Sequence, residues 1–347
     1  MEPGDDPAGF CWLAVRFVGL ARVALLLVIV IVCASSSASA SVPSRPCPSG
    51  VHGSLASPPV AGFAQWARPG SLIAVGGAPS SARGTGVTVA VVDTGVAPIP
   101  QLMNSVWWSA SKNVVSTGGV SDSNGHGTEM AAIVHEVAPG ARILVVQALD
   151  ASGGGSSGDV ARAIRYAVAK GARVVNVSAA GGAADPAIRS AIVDAGGHGA
   201  LVVVAAGNDG TDVDTYPSFP AGYHLPNLVV VAATNGHGSL APTSDWGQRT
   251  VQVGAPGVDV PTLSTSGIAV LVSGSSPAAA LTSGVSALVL GQHRGMSAAD
   301  LRAALVQGSD PESGLVGKVG SGGQLDPLRA LGGLTRLSCS VATAFLQ

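Results

Sequence analysis

The sequence predicts a doubly wound α/β fold, a mostly parallel sheet with helices on both faces, in a single domain. One observation is a series of short valine-rich apolar runs, typical of strands buried on both faces. Helix-like stretches between these runs are the second, because strands joined through helices make right-handed crossovers and run parallel. The third is length: 347 residues, 47% of them hydrophobic, suffice for a large core.

The elements alternate from residue 85 onward. The first strand is the run VTVAVV at residues 87–92, and TEMAAIVHEV at residues 128–137 is helix-like. The same alternation then predicts a strand at 142–149, a helix at 159–169, a strand at 173–177, a helix at 186–194, strands at 200–206 and 228–233, and a helix at 276–290. Ligands of such sheets bind beyond the carboxyl ends of the strands, and Asp93 and Asn208 each follow a predicted strand.

The first 40 residues are predicted to be a signal peptide. Arg16 and Arg22 precede the apolar run at residues 23–34, and Ala40 ends a stretch of small residues that a signal peptidase accepts. The run is shorter than the roughly 20 residues needed to span a bilayer, which favours export over a retained membrane anchor. We therefore expect a secreted or cell-envelope protein that contacts a membrane only if this leader stays uncleaved.

Three further segments are expected: a short extension at 41–84, the main folded domain at 85–335 and a tail at 336–347. After cleavage the chain retains Cys47 and Cys339, near its two ends. In an oxidising compartment these cysteines form one disulfide by hypothesis, with two free thiols as the alternative.

Composition excludes some partners. Only 11% of residues are charged and the formal net charge is −2, so nothing indicates a nucleic-acid surface or a polybasic membrane patch. The 48 glycines are spread between apolar runs, which is typical of a loop-rich globular enzyme rather than of disorder. No metal-ligand motif is present, and we expect no cofactor.

Three glycine-flanked segments carry reactive side chains: Asp93 in VAVVDTG, His126 in NGHGT and Ser276 in SGSSPAA. A serine hydroxyl becomes a useful nucleophile only when a base takes its proton and a carboxylate orients that base. Unrelated folds carry this relay in different chain orders, so the order Asp, His, Ser is itself informative. The pattern predicts a serine hydrolase.

The stretch GGGSSG at residues 153–158 offers competing interpretations. It matches the dinucleotide fingerprint GxGxxG and contains GxSxG around Ser156. Both motifs require a tight turn directly after a strand, whereas residues 150–152 intervene here. A nucleotide-dependent oxidoreductase is kept as an alternative that NAD binding would test. The His135-Glu136 pair lacks the second histidine of a zinc protease motif.

Four blocks in order resemble the subtilisin-like serine proteases, the subtilases or peptidase family S8, from about residue 85 to 331. They are VAVVDTGV, NGHGTEMAAIV, VVVAAGNDG and SGSSPAAALTSGVSALVL. The resemblance implies an endopeptidase acting through an acyl-enzyme on Ser276, with His126 as general base and acid, Asp93 as its orienting group and Asn208 in the oxyanion hole.

The same resemblance implies a protein or peptide substrate and a monomeric enzyme. An extended peptide would add as a strand between two rims formed by Gly153, Gly154, Gly155, Ser178, Ala179 and Ala180. Calcium sites are common in the family, but no cluster of calcium-ligating residues can be recognised in this sequence.

The chain departs from the family pattern at five positions: Glu129 replaces a usual His, Ala132 a Gly, Ser275 a Thr and Ala280 a Pro, and Pro277 follows the nucleophile. Glu129, Pro277 and Ala280 keep open an alternative, a catalytically weak or inactive binding protein on the subtilase fold. The extension at 41–84 resembles that of mycosins, the subtilases of type VII secretion. It is too short for a folded prodomain, so we expect little autoactivation.

Overall fold

A nine-stranded β-sheet runs through the part of the chain that the computed structural model describes, residues 83–332. Its strands in chain order are β1 (Thr88–Asp93), β2 (Lys112–Asn113), β3 (Arg142–Gln147), β4 (Val174–Val177), β5 (Leu201–Ala205), β6 (Leu228–Thr234), β7 (Val253–Pro256), β10 (Ser309–Pro311) and β11 (Gly323–Leu325). The spatial order is β10-β11-β7-β6-β5-β4-β1-β3-β2. All neighbours run parallel except β10 and β11. A separate antiparallel hairpin consists of β8 (Val260–Leu263) and β9 (Ala269–Val272).

Helices cover both faces of the sheet. They are α1 (His126–Val137), α2 (Ser157–Ala169), α3 (Pro186–Gly197), α4 (Ser275–Gln292), α5 (Ala298–Gln307) and α6 (Pro327–Ala330). Side chains of β1 alternate between two hydrophobic clusters: Val89 and Val91 join the one that includes α1, α4 and α5, and Ala90 and Val92 join the one that includes α2 and α3. This two-sided burial confirms the doubly wound α/β prediction.

Helix α4 lies inside the protein, with residues 275–291 all buried. Its small residues allow close packing, since a Cβ on Gly284 would come within 2.6 Å of Val137 Cβ on α1. Both helices begin beyond the carboxyl ends of the parallel strands. The fold therefore brings the first residues of α1 and α4 to one edge of the sheet.

Every predicted strand and helix is present, with bounds shifted by a few residues. The pattern did not predict β2, the hairpin β8–β9 or the strands β7, β10 and β11, which are two to four residues long and in part contain Gly or Pro. Such short segments lack an apolar run of useful length. The leader, Cys47 and Cys339 lie outside the described residues, so their predictions stay predictions. Between residues 83 and 332, none of the helices is both long and apolar enough to cross a membrane.

Candidate active site

Asp93 ends β1, the strand between β3 and β4 in the sheet. Its side chain is fully buried, and its Oδ1 atom accepts hydrogen bonds from Thr94 N at 2.8 Å and from the His126 ring at Nδ1, 2.7 Å away. Its Oδ2 atom has no hydrogen-bond partner among residues 83–332. A buried carboxylate in this position holds the imidazole with its Nδ1–H toward the acid and leaves Nε2 for another group.

His126 is the first residue of α1, and glycines let it approach β1. Gly125 precedes it with φ of 109°, a left-handed conformation that glycine adopts without strain. A Cβ on Gly127 would overlap Gly95 O in the turn after β1. The Asp93–His126 contact therefore depends on a close backbone approach, which explains the glycines around both residues.

A second buried aspartate, Asp122, joins the same two elements. Its Oδ1 accepts from Thr94 Oγ1 at 2.9 Å, Asn124 N at 3.1 Å and Gly125 N at 2.8 Å. Its Oδ2 accepts from Thr128 N at 2.8 Å and Thr128 Oγ1 at 2.6 Å. Thr94 Oγ1 in turn accepts from Gly127 N at 2.9 Å. Asp122 thus connects the turn after β1 to backbone groups on both sides of His126.

Sequence reasoning missed Asp122, although a signal was present. The segment DSNGHGT places an acid where it can accept hydrogen bonds from the first N–H groups of the following helix. Taken alone, an aspartate in such a polar segment is a common turn former.

Three carboxylates surround His126 and set its protonation. Burial lowers the pKa of His126, but the hydrogen bond to Asp93 and the charges of Asp93, Glu129 and Asp122 together raise it above its usual value. Burial raises the pKa of Glu129, which the charge of His126 partly offsets. Burial also opposes ionisation of Asp122, yet its hydrogen bonds from Thr128 and the nearby donors hold its pKa below the usual range.

Ser276 lies in the first turn of α4, after Gly274 with φ of 143°. Its side chain is largely buried, and its hydroxyl makes a weak hydrogen bond of 3.4 Å to Ser178 O, while Ser178 Oγ lies 3.4 Å from Ser276 O. Ser276 donates no hydrogen bond to His126 in this structure, which is common where no substrate is bound.

Asn208 follows β5 and reaches the start of α4. Its Oδ1 atom accepts from Ser275 N at 2.8 Å and Ser275 Oγ at 3.1 Å. Ser275 Oγ in turn accepts from Gly207 N at 3.1 Å, so a serine at this position retains the hydroxyl of the threonine usual in the family. The Asn208 Nδ2 atom has no acceptor among the described residues, and is an available donor beside Ser276.

A cleft of about 260 Å³ lies beside Asn208 and Ser276, and neither His126 nor Asp93 is among its lining residues. It is lined by Ser178, Ala180, Gly181, Ala205, Gly207, Asn208, Asp209, Ser218, Asp245, Ser275 and Ser276. Two of the rim residues predicted from the sequence, Ser178 and Ala180, therefore line the cleft, while Ala179 packs against the hydrophobic cluster under α2 and α3.

The other predicted rim, Gly153, Gly154 and Gly155, lies on the loop between β3 and α2 rather than in the cleft lining. Asn124, two residues before His126, binds this loop through a 3.0 Å hydrogen bond from Nδ2 to Ala151 O. The competing motif serine on the same loop, Ser156, is the N-cap of α2 and accepts from Asp159 N at 3.1 Å.

The departures from the family pattern occupy ordinary helical positions. Pro277 lies in the first turn of α4, where the missing N–H costs no intrahelical hydrogen bond, and Ala132 and Ala280 are buried in the core. Glu129 lies in the first turn of α1, where negative charge suits a helix N-terminus.

His135 bonds to Ser105 Oγ through Nδ1 at 2.9 Å, and lies at the other end of α1 from His126. Within residues 83–332 there is no group of three or more His, Cys, Asp or Glu side chains placed to hold a metal ion.

Comparison with known proteins shows the family. Residues 84–323 match the model of the subtilase family. The chain is 35% identical over 247 residues to thermitase from Thermoactinomyces vulgaris, a match that covers 67% of this chain and 84% of thermitase. It is 33% identical over 215 residues to a thermostable alkaline protease from Halalkalibacterium halodurans, covering 59% of this chain and 57% of that longer protein.

Among solved structures, a cold-adapted subtilisin-like serine proteinase superposes with a TM-score of 0.60 and 28% identity, covering 70% of this chain and 88% of that one. These matches confirm the resemblance drawn from the four sequence blocks and the fold class together. The chain therefore belongs to the subtilase family of serine endopeptidases.

Proposed function

We propose that this chain is an exported endopeptidase that cleaves peptide bonds through an acyl-enzyme on Ser276. The observation that carries the proposal is the 2.7 Å contact between the buried Asp93 carboxylate and the His126 ring, at the sheet edge where α4 presents Ser276. The acid, the imidazole and the hydroxyl come from three separate elements. Packing of the hydrophobic core does not by itself require these polar side chains to lie at one edge of the sheet.

In the proposed reaction, Ser276 Oγ attacks the peptide carbonyl carbon as His126 Nε2 takes the hydroxyl proton. The Asp93 carboxylate stabilises the imidazolium that forms. His126 then gives the proton to the leaving amine, the C–N bond breaks, and an ester to Ser276 remains. Water attacks this ester with His126 again as base, which releases the acid product and restores the hydroxyl. These side chains supply every proton transfer, so the reaction needs no cofactor.

Negative charge on the carbonyl oxygen needs fixed donors. Asn208 offers Nδ2, because its oxygen is already held by Ser275 N and Oγ. The backbone N–H of Ser276, in the first turn of α4, offers a second donor at the positive end of the helix. A donor of this kind contributes roughly 10²–10³-fold in kcat.

The substrate is proposed to be a protein or peptide, bound extended between the predicted rims. Export rests on the leader at residues 1–40, and a monomer is the proposed state. Amino-terminal sequencing of material secreted by an expressing host should begin at Ser41. A start near Thr85 would contradict the expected absence of large-scale autoactivation.

A fluorophosphonate probe tests the catalytic proposal. The purified mature protein and the Ser156→Ala control should be labelled alike, because Ser156 caps a helix. Ser276→Ala should not be labelled. No labelling of the unaltered protein would favour an inactive binding protein on the same fold, and equal labelling of Ser276→Ala would exclude Ser276 as the nucleophile.

A further inference from the structure

A polar side chain stands in the middle of the sheet, between valines. Asn176 is on β4, the strand between β1 and β5, and it is fully buried. Successive side chains of a strand point to opposite faces, so Asn176 lies on the same face as Val174 and Ser178. Val174 packs in the hydrophobic cluster that includes α4, whereas Val175 and Val177 pack in the other cluster. Asn176 therefore faces α4.

Ser283 contacts Asn176 from the helix side. It comes seven residues after Ser276, which is about two helical turns, so the two serines lie on one face of α4. Ser283 is fully buried, and its hydroxyl donates a 2.9 Å hydrogen bond to Asn176 Oδ1. The neighbouring hydroxyls of Thr282 and Ser286 instead donate to backbone oxygens of α4 itself. Of these three hydroxyls, that of Ser283 is the one that connects the helix to the sheet.

The amide of Asn176 connects Ser283 with the start of α4. Its Nδ2 atom donates to Ser178 Oγ at 2.8 Å. Ser178 Oγ in turn donates to Ser276 O at 3.4 Å, and Ser276 Oγ donates to Ser178 O at 3.4 Å. The four side chains thus form one connected set, with both ends on α4 and the middle at the end of β4. Because Ser178 and Ser276 contact each other's carbonyl oxygens, a shift of Ser178 changes where the Ser276 hydroxyl lies.

Burial makes this set of contacts costly to break. A buried amide or hydroxyl without a partner loses the hydrogen bonds that water would give it, and the apolar core offers none in exchange. Asparagine is also a poor strand former, so local propensity does not account for Asn176 among the valines of β4. Each side-chain polar atom of Asn176, Ser178 and Ser283 has a partner. A fully paired buried set of this kind favours one arrangement of β4 against α4.

We propose that Asn176 and Ser283 are positioning residues, which hold Ser178 against the first turn of α4 and thereby fix the place of the Ser276 hydroxyl. The inference rests on the proposed endopeptidase function and deepens it. The Asn176 amide bonds to Ser178 and Ser283 rather than to Ser276, so both residues act through Ser178. Attack on a carbonyl needs the two reacting atoms aligned and within about 3–3.5 Å, so a small displacement of Ser276 slows acylation.

Ser283→Ala tests the inference, with Ser286→Ala as its matched control. Both variants remove one buried hydroxyl from α4, but the Ser286 hydroxyl donates to Thr282 O within the helix. The full secreted protein and each variant are compared for kcat and KM on one peptide and for the rate of fluorophosphonate labelling, under conditions where urea unfolding shows each to be folded.

Ser283→Ala should lower kcat and the labelling rate about ten-fold with little change in KM, because a full 1 Å misplacement costs roughly 100-fold and the loss of one contact shifts Ser276 by less. Ser286→Ala should match the wild type. Labelling of Ser283→Ala at the wild-type rate, or equal slowing in Ser286→Ala, would overturn the inference while labelling of the wild type upholds the endopeptidase. A wild type that is not labelled at all would overturn both.

A double variant provides a second measurement. Asn176→Ala should lower kcat at least as much as Ser283→Ala, and the combined variant should lose no more than Asn176→Ala alone, because both changes break the same connection. Losses that multiply would overturn the inference. If Asn176→Ala does not fold, Ser283→Ala decides the question alone, because it removes a single hydroxyl.

Discussion

Replacing Asp122 by asparagine removes a charge beside His126 while keeping the shape of the side chain. One carboxylate oxygen accepts from Thr94 Oγ1 and two backbone N–H groups, and the other accepts from Thr128 N and Oγ1. An asparagine offers an oxygen to only one of these two sets. Its NH₂ group then faces donors in the other set.

The expected loss of stability follows from the smaller of these two sets, the two hydrogen bonds that Thr128 donates. If the amide oxygen keeps the set that includes Thr94, the buried N–H and hydroxyl of Thr128 both lose their acceptor, at about 1–3 kcal/mol each. We expect Asp122→Asn to lower the free energy of unfolding by about 3 kcal/mol near neutral pH. Loss of the hydrogen bonds to Thr128 also lets the start of α1 move. A misplacement of about 1 Å at His126 costs roughly 100-fold in rate.

The pH dependence has a definite sign. The pKa of Asp122 is lowered in the folded protein, so its stabilisation is present above the unfolded value of about 3.9 and is lost as pH falls through the folded value. The difference in unfolding free energy between wild type and variant should shrink accordingly in acid. The charge of Asp122 also raises the pKa of His126, so in the variant the acid limb of kcat/KM should move to lower pH.

Urea unfolding and pH profiles of peptide hydrolysis measure these effects. The control is Asp214→Asn, because Asp214 also accepts backbone N–H groups, from Arg249 and Thr250, and also has a lowered pKa. It should lose comparable stability with an unchanged acid limb. Asp122 does not position or charge-stabilise His126 if Asp122→Asn leaves kcat/KM within two-fold of wild type with an unmoved acid limb.

Three further predictions concern the site and its glycines. Asn208→Ala should lower kcat by roughly 10²–10³-fold in a peptide assay, and Asn208→Asp, which keeps the acceptor oxygen but not the NH₂ donor, should not restore it. Glu129→Gln should shift the acid limb of kcat/KM to lower pH, because its charge raises the pKa of His126; an upward shift would contradict this. Gly127→Ala should lower the unfolding free energy by more than about 3 kcal/mol through overlap with Gly95 O, whereas Gly197→Ala, with open space around it at the end of α3, should be neutral or stabilising by up to about 1 kcal/mol in urea unfolding.

Much of the fold was accessible from the sequence because buried parallel strands are apolar along their whole length. The run at residues 87–92 became β1 with a shift of one residue, and the helix-like stretch at 128–137 became α1, which begins two residues earlier at His126. The shift at α1 has a physical cause, since the glycines on either side of His126 carry little helical signal of their own.

The remaining elements could not be predicted from the sequence in the same way. Strands such as β10 and β11 are three residues long and exist because neighbouring backbone completes their hydrogen bonds. No local pattern marks such a segment as a strand. The cleft poses the same difficulty, because Ser218 and Asp245 are distant in sequence from Asn208 and line it only after the chain has folded.

The sequence by itself determined the fold class, the family and the residues proposed for the relay, because strand periodicity and four ordered blocks are local properties of the chain. Tertiary structure alone decided that Asp122 bridges β1 and α1, and that Asn176 and Ser283 join β4 to α4. The physical reason is that hydrogen bonds and charges act between atoms a few ångströms apart, and folding sets those distances between segments far apart in sequence.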